Sequence, residues 1–278
     1  MSAEREHHAR AATWTIPGLS EAGYSQSLER GLAILASFTA QRPAMGIAEM
    51  SSELGMARPT THRYARTLVA LGYLEQDARR KYRLGVRVVD LGIAAMNSTG
   101  LREHARPFLE ELRLQTSCSA SLARLDGMDI LYLERVRSLR RGEQRVELEA
   151  QPGSRLPAWS TALGKVLLAH TPEPERRRLL ASVKLVRCTP NTITSKRALR
   201  HELDRVLVAG FAVDDEESAA GLCSIAVPVR DQGREVVAAV GLSAPSSSVA
   251  LAGMVDAQMP HLIATADRIS ARLGYRHA

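Results

Sequence analysis

Residues 58–68, "RPTTHRYARTL", set three arginines and a histidine within little more than two helical turns. Guanidinium groups at that density suit anions, because they fork onto phosphate oxygens and pair bidentately with guanine edges. At 100° per residue, Ala57, Thr61, Tyr64, Leu68 and Leu71 fall on one side of such a helix, and Pro59, His62, Arg63 and Arg66 on the other. Arg58 and Thr60 stand at its N-terminal end. A second cationic run, Arg79-Arg80-Lys81, follows in "GYLEQDARRKYRLG". Most charge-rich helices are merely solvated faces, but here the charge is concentrated. From Ser27 to Gly85, nine cations stand against five carboxylates, a net +4 within a chain whose formal charge is +7. The chemistry this suits is duplex DNA binding. The candidate contact set is Arg58, Thr60, Thr61, His62, Arg63 and Arg66, with Arg79, Arg80 and Lys81 on phosphates or in the minor groove.

The flanking elements are those such a surface needs. "SLERGLAILASF" repeats Leu28, Leu32, Leu35 and Phe38 at helical steps, and "GIAEMSSEL" repeats Ile47, Met50 and Leu54. Gly55 breaks the second helix, and Pro59 suits the first turn of the next. Short helix, glycine turn and basic helix form a helix-turn-helix. Tyr73-Leu74 and Tyr82-Leu84 flank a polar bend and predict a β-hairpin wing. The reading divides the chain into a flexible tail over 1–24, a winged helix-turn-helix over 25–85, a linker helix over 86–100 ("VRVVDLGIAAMN" at its heart), and a second domain over 101–275.

In that domain, "LREHARPFLEELRLQT" predicts a helix, and "CSASLARLDGMDILYLERV" a hairpin turning at Asp126-Gly127. "QRVELEA" predicts a further strand. Helices are expected at about 161–171, 173–182, 196–209 and 249–273, giving an α+β domain with no internal repeat. In "GLCSIAVPV", Cys223, Ile225, Val227 and Val229 share one face, and Leu222, Ser224 and Ala226 the other. In "EVVAAVGLS", Val236, Ala238, Val240 and Leu242 oppose Val237, Ala239, Gly241 and Ser243. The small, mildly polar face either leaves room for a ligand or admits a closely packed helix. The residues alone leave both open. In "STALGKVLL", Ser160 or Thr161 can cap a helix whose first amides, at Ala162 and Leu163, would attract a carboxylate. Arg135 is read as a surface strand residue, with an anion-partner role as the lesser alternative.

Other chemistry is poorly supported. The chain has no G-x-S-x-G, H-E-x-x-H, Walker or G-x-G-x-x-G pattern, so no catalytic residues are assigned. His170, His201 and His261 lack partner spacing, and Cys223 reads as packing. "DDEES", residues 214–218, reads as a loop at a strand end rather than a metal cluster. His7 and His8 read as tail residues, so no metal or cofactor is expected. Cys118, Cys188 and Cys223 are widely spaced and odd in number, which suits a reducing cytosol. The N-terminus has no apolar signal core, and no run of about 18 apolar residues exists for a membrane span.

These blocks, together with "LPAWSTALGKVLLA", "GFAVDDEESAAGLCSIAVPV" and "VVAAVGLSAP", resemble the IclR family of bacterial transcription regulators from Ser25 to about Gly274. "THRYARTLVALGYL", "NSTGLREHARPFLEEL" and "DGMDILYLERVRSLRRG" are most similar to the branch controlling protocatechuate and 4-hydroxybenzoate breakdown. The resemblance implies a GAF-like effector domain and a homodimer or tetramer on double-stranded, partly palindromic promoter DNA. It also implies effector contacts at the Ala162 and Leu163 backbone, Asp214, Ser224 and Ser243, with apolar walls at Leu148, Leu156 and Leu222. Members that bind small keto acids carry a hydroxyl at the position of Gly241. Its absence here is expected to enlarge the floor for a ring-sized acid. Asp214 should repel a carboxylate unless it meets a hydroxyl. The expected function is a regulator whose operator binding responds to an aromatic or dicarboxylic acid, through a linker helix relaying pocket closure. An enzyme with an appended DNA-binding domain, or an oligomerising scaffold, is the alternative.

Overall fold

The computed structural model describes residues 24–39, 41–97, 100–138 and 150–276. The tail expected over 1–24 lies almost wholly outside these residues, as does all but the last residue of the "QRVELEA" segment. The chain forms two compact units that part between Ala95 and Met96.

The first unit contains α1 (Gln26–Ala36), α2 (Ile47–Leu54), α3 (Arg58–Ala70), the hairpin strands β1 (Leu74–Gln76) and β2 (Tyr82–Leu84), and most of α4 (Arg87–Asn97). Ser25 caps α1 by accepting from Leu28 N, and Gly55 ends α2 at a φ of 62°, a conformation that penalises any side chain. Ile34, Phe38, Met50, Ala65, Leu68, Leu74 and Tyr82 pack one core, and each large apolar side chain fully buried there contributes about 1.5–3 kcal/mol. Tyr82 and Met45 exchange backbone hydrogen bonds at 2.8 and 2.9 Å, which ties the hairpin to the segment before α2. The apolar stripe expected on α1 divides. Phe38 is buried and Leu35 packs against the core, but Leu28 and Leu32 are 63% and 57% exposed, and Leu71 is also exposed.

The second unit contains α5 (Leu101–Thr116), β3 (Ser119–Asp126), β4 (Asp129–Val136), β5 (Arg155–Pro157), α6 (Ala162–His170), α7 (Glu173–Ser182), α8 (Lys196–Ala209), β6 (Ala212–Asp215), β7 (Leu222–Arg230), β8 (Val236–Pro245) and α9 (Leu251–Arg272). Its six strands are antiparallel in the order β5-β4-β3-β8-β7-β6. One face, with Leu122, Ile225, Val227, Val240 and Leu242, packs on α5 and α9. The other, with Ala123, Tyr132, Ala226 and Ala239, packs on α6, with α7 and α8 in the same core. This matches the expected α+β layering. β5, short and ending in proline, had no legible alternation.

Two bulges reset the strand faces. Leu122 pairs with Glu134 and Ala123 with Tyr132, so Leu133 is an extra residue in β4. Val229 pairs with Ala238 and Arg230 with Val236, so Val237 is extra in β8. The second bulge moves Val236 away from Ala238, Val240 and Leu242 and onto the α6 side, against the alternation expected from sequence.

Candidate functional site

The first candidate surface is built on α3 and the hairpin. Arg58, His62, Arg63 and Arg66 are exposed and Thr60 is half-buried. Thr61 is not on that surface. It is fully buried, its hydroxyl donating to Ala57 O at 3.2 Å and lying 3.0 Å from Ser51 Oγ, where it joins α3 to α2. The helical count had put it on the inward side, and packing keeps it there.

At the hairpin tip, Asp77 Oδ1 accepts the amides of Arg79 and Lys81, both at 2.9 Å, and Arg80 adopts a left-handed φ of 60°. Arg79 and Arg80 are exposed. Lys81 behaves otherwise: its Nζ lies 2.6 Å from Glu49 Oε2. The Gly46 amide, then Lys81, hold the Glu49 carboxyl below its ordinary range. Lys81 is thus a strut between hairpin and α2 rather than a free cation. Arg42 with Glu53, and Arg83 with Glu75, are likewise paired. Arg58, Arg63, Arg66, Arg79 and Arg80 make no ion pair with a described residue. On α3 and the hairpin they are the cations left to meet an external anion.

The second candidate site is a pocket on the α6 face of the sheet. Leu163, Asp214, Leu222, Ser224, Gly241 and Ser243, all expected from sequence, line it together. Leu156 is half-buried in the core beside α6 and Ala162 is fully buried, and neither side chain lines the cavity. Leu148 lies outside the described residues. The cavity measures about 20 Å³, room for little more than a water molecule. Gly241 does not enlarge it as expected. A Cβ there would sit 2.8 Å from Ile225 O and 3.1 Å from Leu163 Cδ2, so the missing side chain lets α6 close onto the sheet. Thr161 caps α6 by accepting from Gly164 N at 3.1 Å, which leaves the Ala162 and Leu163 amides ahead of the first intrahelical bond.

Asp214 is almost wholly buried. Its Oδ1 accepts Glu217 N at 2.7 Å and Ser218 N at 3.2 Å, and its Oδ2 accepts Ser218 Oγ at 2.6 Å and Ser224 Oγ at 3.4 Å. Burial nevertheless pushes its carboxyl above the ordinary range. "DDEES" is the loop this carboxylate organises, and Thr189 and Thr192 hydroxyls anchor it through the Glu216 and Glu217 carbonyls. Behind it, the buried Lys165 ammonium pairs with Glu217 and lies 3.6 Å from Glu202 Oε1.

Arg135 corrects the sequence reading. It is buried, not a surface strand residue, and it lines the pocket beside Tyr132, Ser121 and Ser218. Among the described residues its Nε and Nη2 have no hydrogen-bond partner, and neither has Ser243 Oγ. The β4 bulge explains the miss. Without the extra residue at Leu133, simple alternation would turn Glu134 to the pocket and Arg135 away. Instead, Glu134 faces α5, 3.0 Å from Arg102 Nε, and Arg135 pairs with Ser121 above the pocket. The one signal available was Ser121, which belongs to the small-residue face that also includes Gly241.

A basic helix-turn-helix with a hairpin wing, followed by an α+β domain enclosing a polar pocket, defines a transcriptional regulator with an effector-binding domain. Family models agree along the chain: the IclR helix-turn-helix domain matches residues 27–78, and the bacterial transcriptional regulator IclR C-terminal domain residues 93–271. The chain belongs to the IclR family. It is 35% identical over 225 residues to the HTH-type transcriptional regulator XynR of Escherichia coli (strain K12), covering 81% of this chain and 88% of that protein. It is 33% identical over 241 residues to the Pca regulon regulatory protein of Pseudomonas putida, covering 87% and 81%. A crystal structure of an IclR homolog from Microbacterium hydrocarbonoxydans, complexed with 4-hydroxybenzoate, is similar at a TM-score of 0.76 and 29% identity, over 89% of this chain and 99% of that one. These relatives are regulators rather than enzymes, and two of them agree with the aromatic-acid branch suggested by the sequence blocks.

Proposed function

We propose that this protein binds partly palindromic promoter DNA through α3 and the hairpin, and that a small aromatic or dicarboxylic acid in the pocket of the second unit alters that binding. The carrying observation is that five arginines on α3 and the wing project into solvent without an ion pair to a described residue, while Arg42, Lys81 and Arg83 are paired. On this reading the N-terminal end of α3 enters the major groove, where Arg58 or Arg63 meets a guanine edge, and Arg79 and Arg80 take phosphates. The effector class is supported by the charged and hydroxyl side chains set among apolar ones in the pocket and by the 4-hydroxybenzoate complex of the Microbacterium homolog. Because the cavity is closed to about 20 Å³, a ring-sized acid must part α6 from the sheet. Binding the open and closed forms unequally is what lets a ligand shift the equilibrium.

A second copy of the chain completes the reading. Leu28 and Leu32 of α1, and Val89, Leu91 and Ile93 of α4, leave large apolar side chains in water, a surface that a homodimer, or a dimer of dimers, would cover. The α4 segment Val88–Met96 then relays the pocket to the spacing of the recognition helices. No described helix is long and apolar enough to cross a membrane; promoter binding supports a cytosolic location. The test is anisotropy titration of its promoter DNA with and without hydroxybenzoates and dicarboxylic acids, alongside sedimentation. Ligand-dependent affinity in a dimer or tetramer is expected. Indifference of DNA binding to every acid that binds the protein would remove the regulatory link.

A further inference from the structure

We propose that Arg135 anchors the acidic end of the effector, and that the effector carries a hydroxyl group at its other end, received by Asp214. The inference rests on the effector reading above and deepens it. A guanidinium keeps its charge in any protein interior and is among the costliest groups to bury without a partner. Arg135 is 9% exposed, yet among the described residues its Nε and Nη2 lack hydrogen-bond partners, and Ser243 Oγ in the same cavity lacks one too. Its contact within the pocket is the Tyr132 ring, with the guanidinium carbon 6.0 Å from the centroid.

Among the described residues, the nearby carboxylates are otherwise engaged. Glu134 faces α5 and pairs with Arg102, while Asp214 is occupied by its own loop. The Leu133 bulge is what turns Arg135 inward, and bulges that re-aim a side chain are characteristic of binding sites. Strand pairing runs from Arg135 through Ser121 to Gly241 on one line, and from Asp214 through Ser224 to Ser243 on the neighbouring line. Between the two charged residues the floor therefore carries nothing larger than serine. A ligand can lie across the strands with opposite chemistry at its ends. The 3.4 Å contact from Ser224 Oγ to Asp214 is long for a hydroxyl pair, and it is the one a ligand hydroxyl would displace. This moves the carboxylate from the α6 N-terminus, where the sequence placed it, to the guanidinium.

The experiment compares 4-hydroxybenzoate, its neutral carboxamide and benzoate on the full chain, by calorimetry and thermal shift. The acid should bind the wild type at least tenfold tighter than the carboxamide. Arg135→Met should weaken the acid by about 30-fold or more and leave the carboxamide unchanged. Without ligand it should melt no lower than the wild type, since it removes an unpaired charge. Arg135→Lys, which keeps the charge and loses the fork, should fall between and serves if the Met variant does not fold. Asp214→Asn should weaken 4-hydroxybenzoate more than benzoate. Equal acid binding by wild type and Arg135 variants overturns this inference and leaves the effector reading standing. Failure of all three probes to bind the wild type overturns this inference and removes aromatic acids from the effector reading, whose dicarboxylic arm the promoter titration tests separately.

Discussion

The two units treat charge in opposite ways. In the first, the arginines of α3 and the hairpin tip stand in water, and the ion pairs among the described residues are exposed or half-buried. In the second, Arg135, Lys165, Asp214 and Glu217 are buried in or beside one pocket. Exposed cations are cheap to keep and ready for an external polyanion, whose affinity they supply through counterion release. Buried charges are expensive and are retained only with partners or for a ligand. The difference teaches where each site's specificity resides: on the surface in the number and direction of arginines, and inside in which charge lacks its partner.

The sharpest way to break this contrast is Lys165→Ala. It leaves Glu217 without its buried counter-ion and should cost about 3–5 kcal/mol of stability in urea denaturation; a loss within about 1 kcal/mol would mean the network is solvated. Next, Arg63→Ala should lower affinity for a specific operator by about 1–3 kcal/mol with the melting temperature unchanged. Unaltered affinity and salt slope would remove Arg63 from the interface.

A third prediction concerns pH. Burial raises the Asp214 carboxyl above its ordinary 3.8, so the folded state favours the proton. Asp214 contributes its full stability below pH 3.8 and loses it as pH rises through the raised value. The stability of wild type minus that of Asp214→Asn should therefore decline as pH rises from 3.8 toward neutrality. A flat difference would show that its hydrogen bonds offset burial.

The smallest effects separate the hairpin residues. Arg80→Gly should relieve the left-handed backbone by about 1 kcal/mol and lower the salt slope of DNA binding by about one. Lys81→Ala, removing an exposed pair with Glu49, should change stability by less than about 1 kcal/mol and leave the slope unchanged. A slope change equal to that of Arg80→Gly would return Lys81 to the DNA-contacting set.

Much of the fold was legible because helical periodicity, caps and turn residues are local. Leu68 on the inner side of α3, Gly55 at the turn, Thr161 at a helix start and the opposed faces of β7 all follow from spacing within a few residues. The inward position of Thr61 also follows from the count, which sets it apart from the exposed DNA-contact candidates. Part of the pocket was legible for the same reason: Ser224, Gly241 and Ser243 share a face by alternation, while Asp214, Leu163 and Leu222 came from the family resemblance.

What the sequence by itself determined, then, was the helix-turn-helix, its basic outer side, and the small-residue floor of a sheet. The tertiary structure alone decided that Arg135 rather than Glu134 enters the pocket, that Val236 changes sides, and that Lys81 meets Glu49 across 32 residues. The physical reason is the same throughout. Side-chain direction along a strand depends on a count that one bulged residue inverts, and whether a charge is free or paired depends on neighbours that only folding brings near.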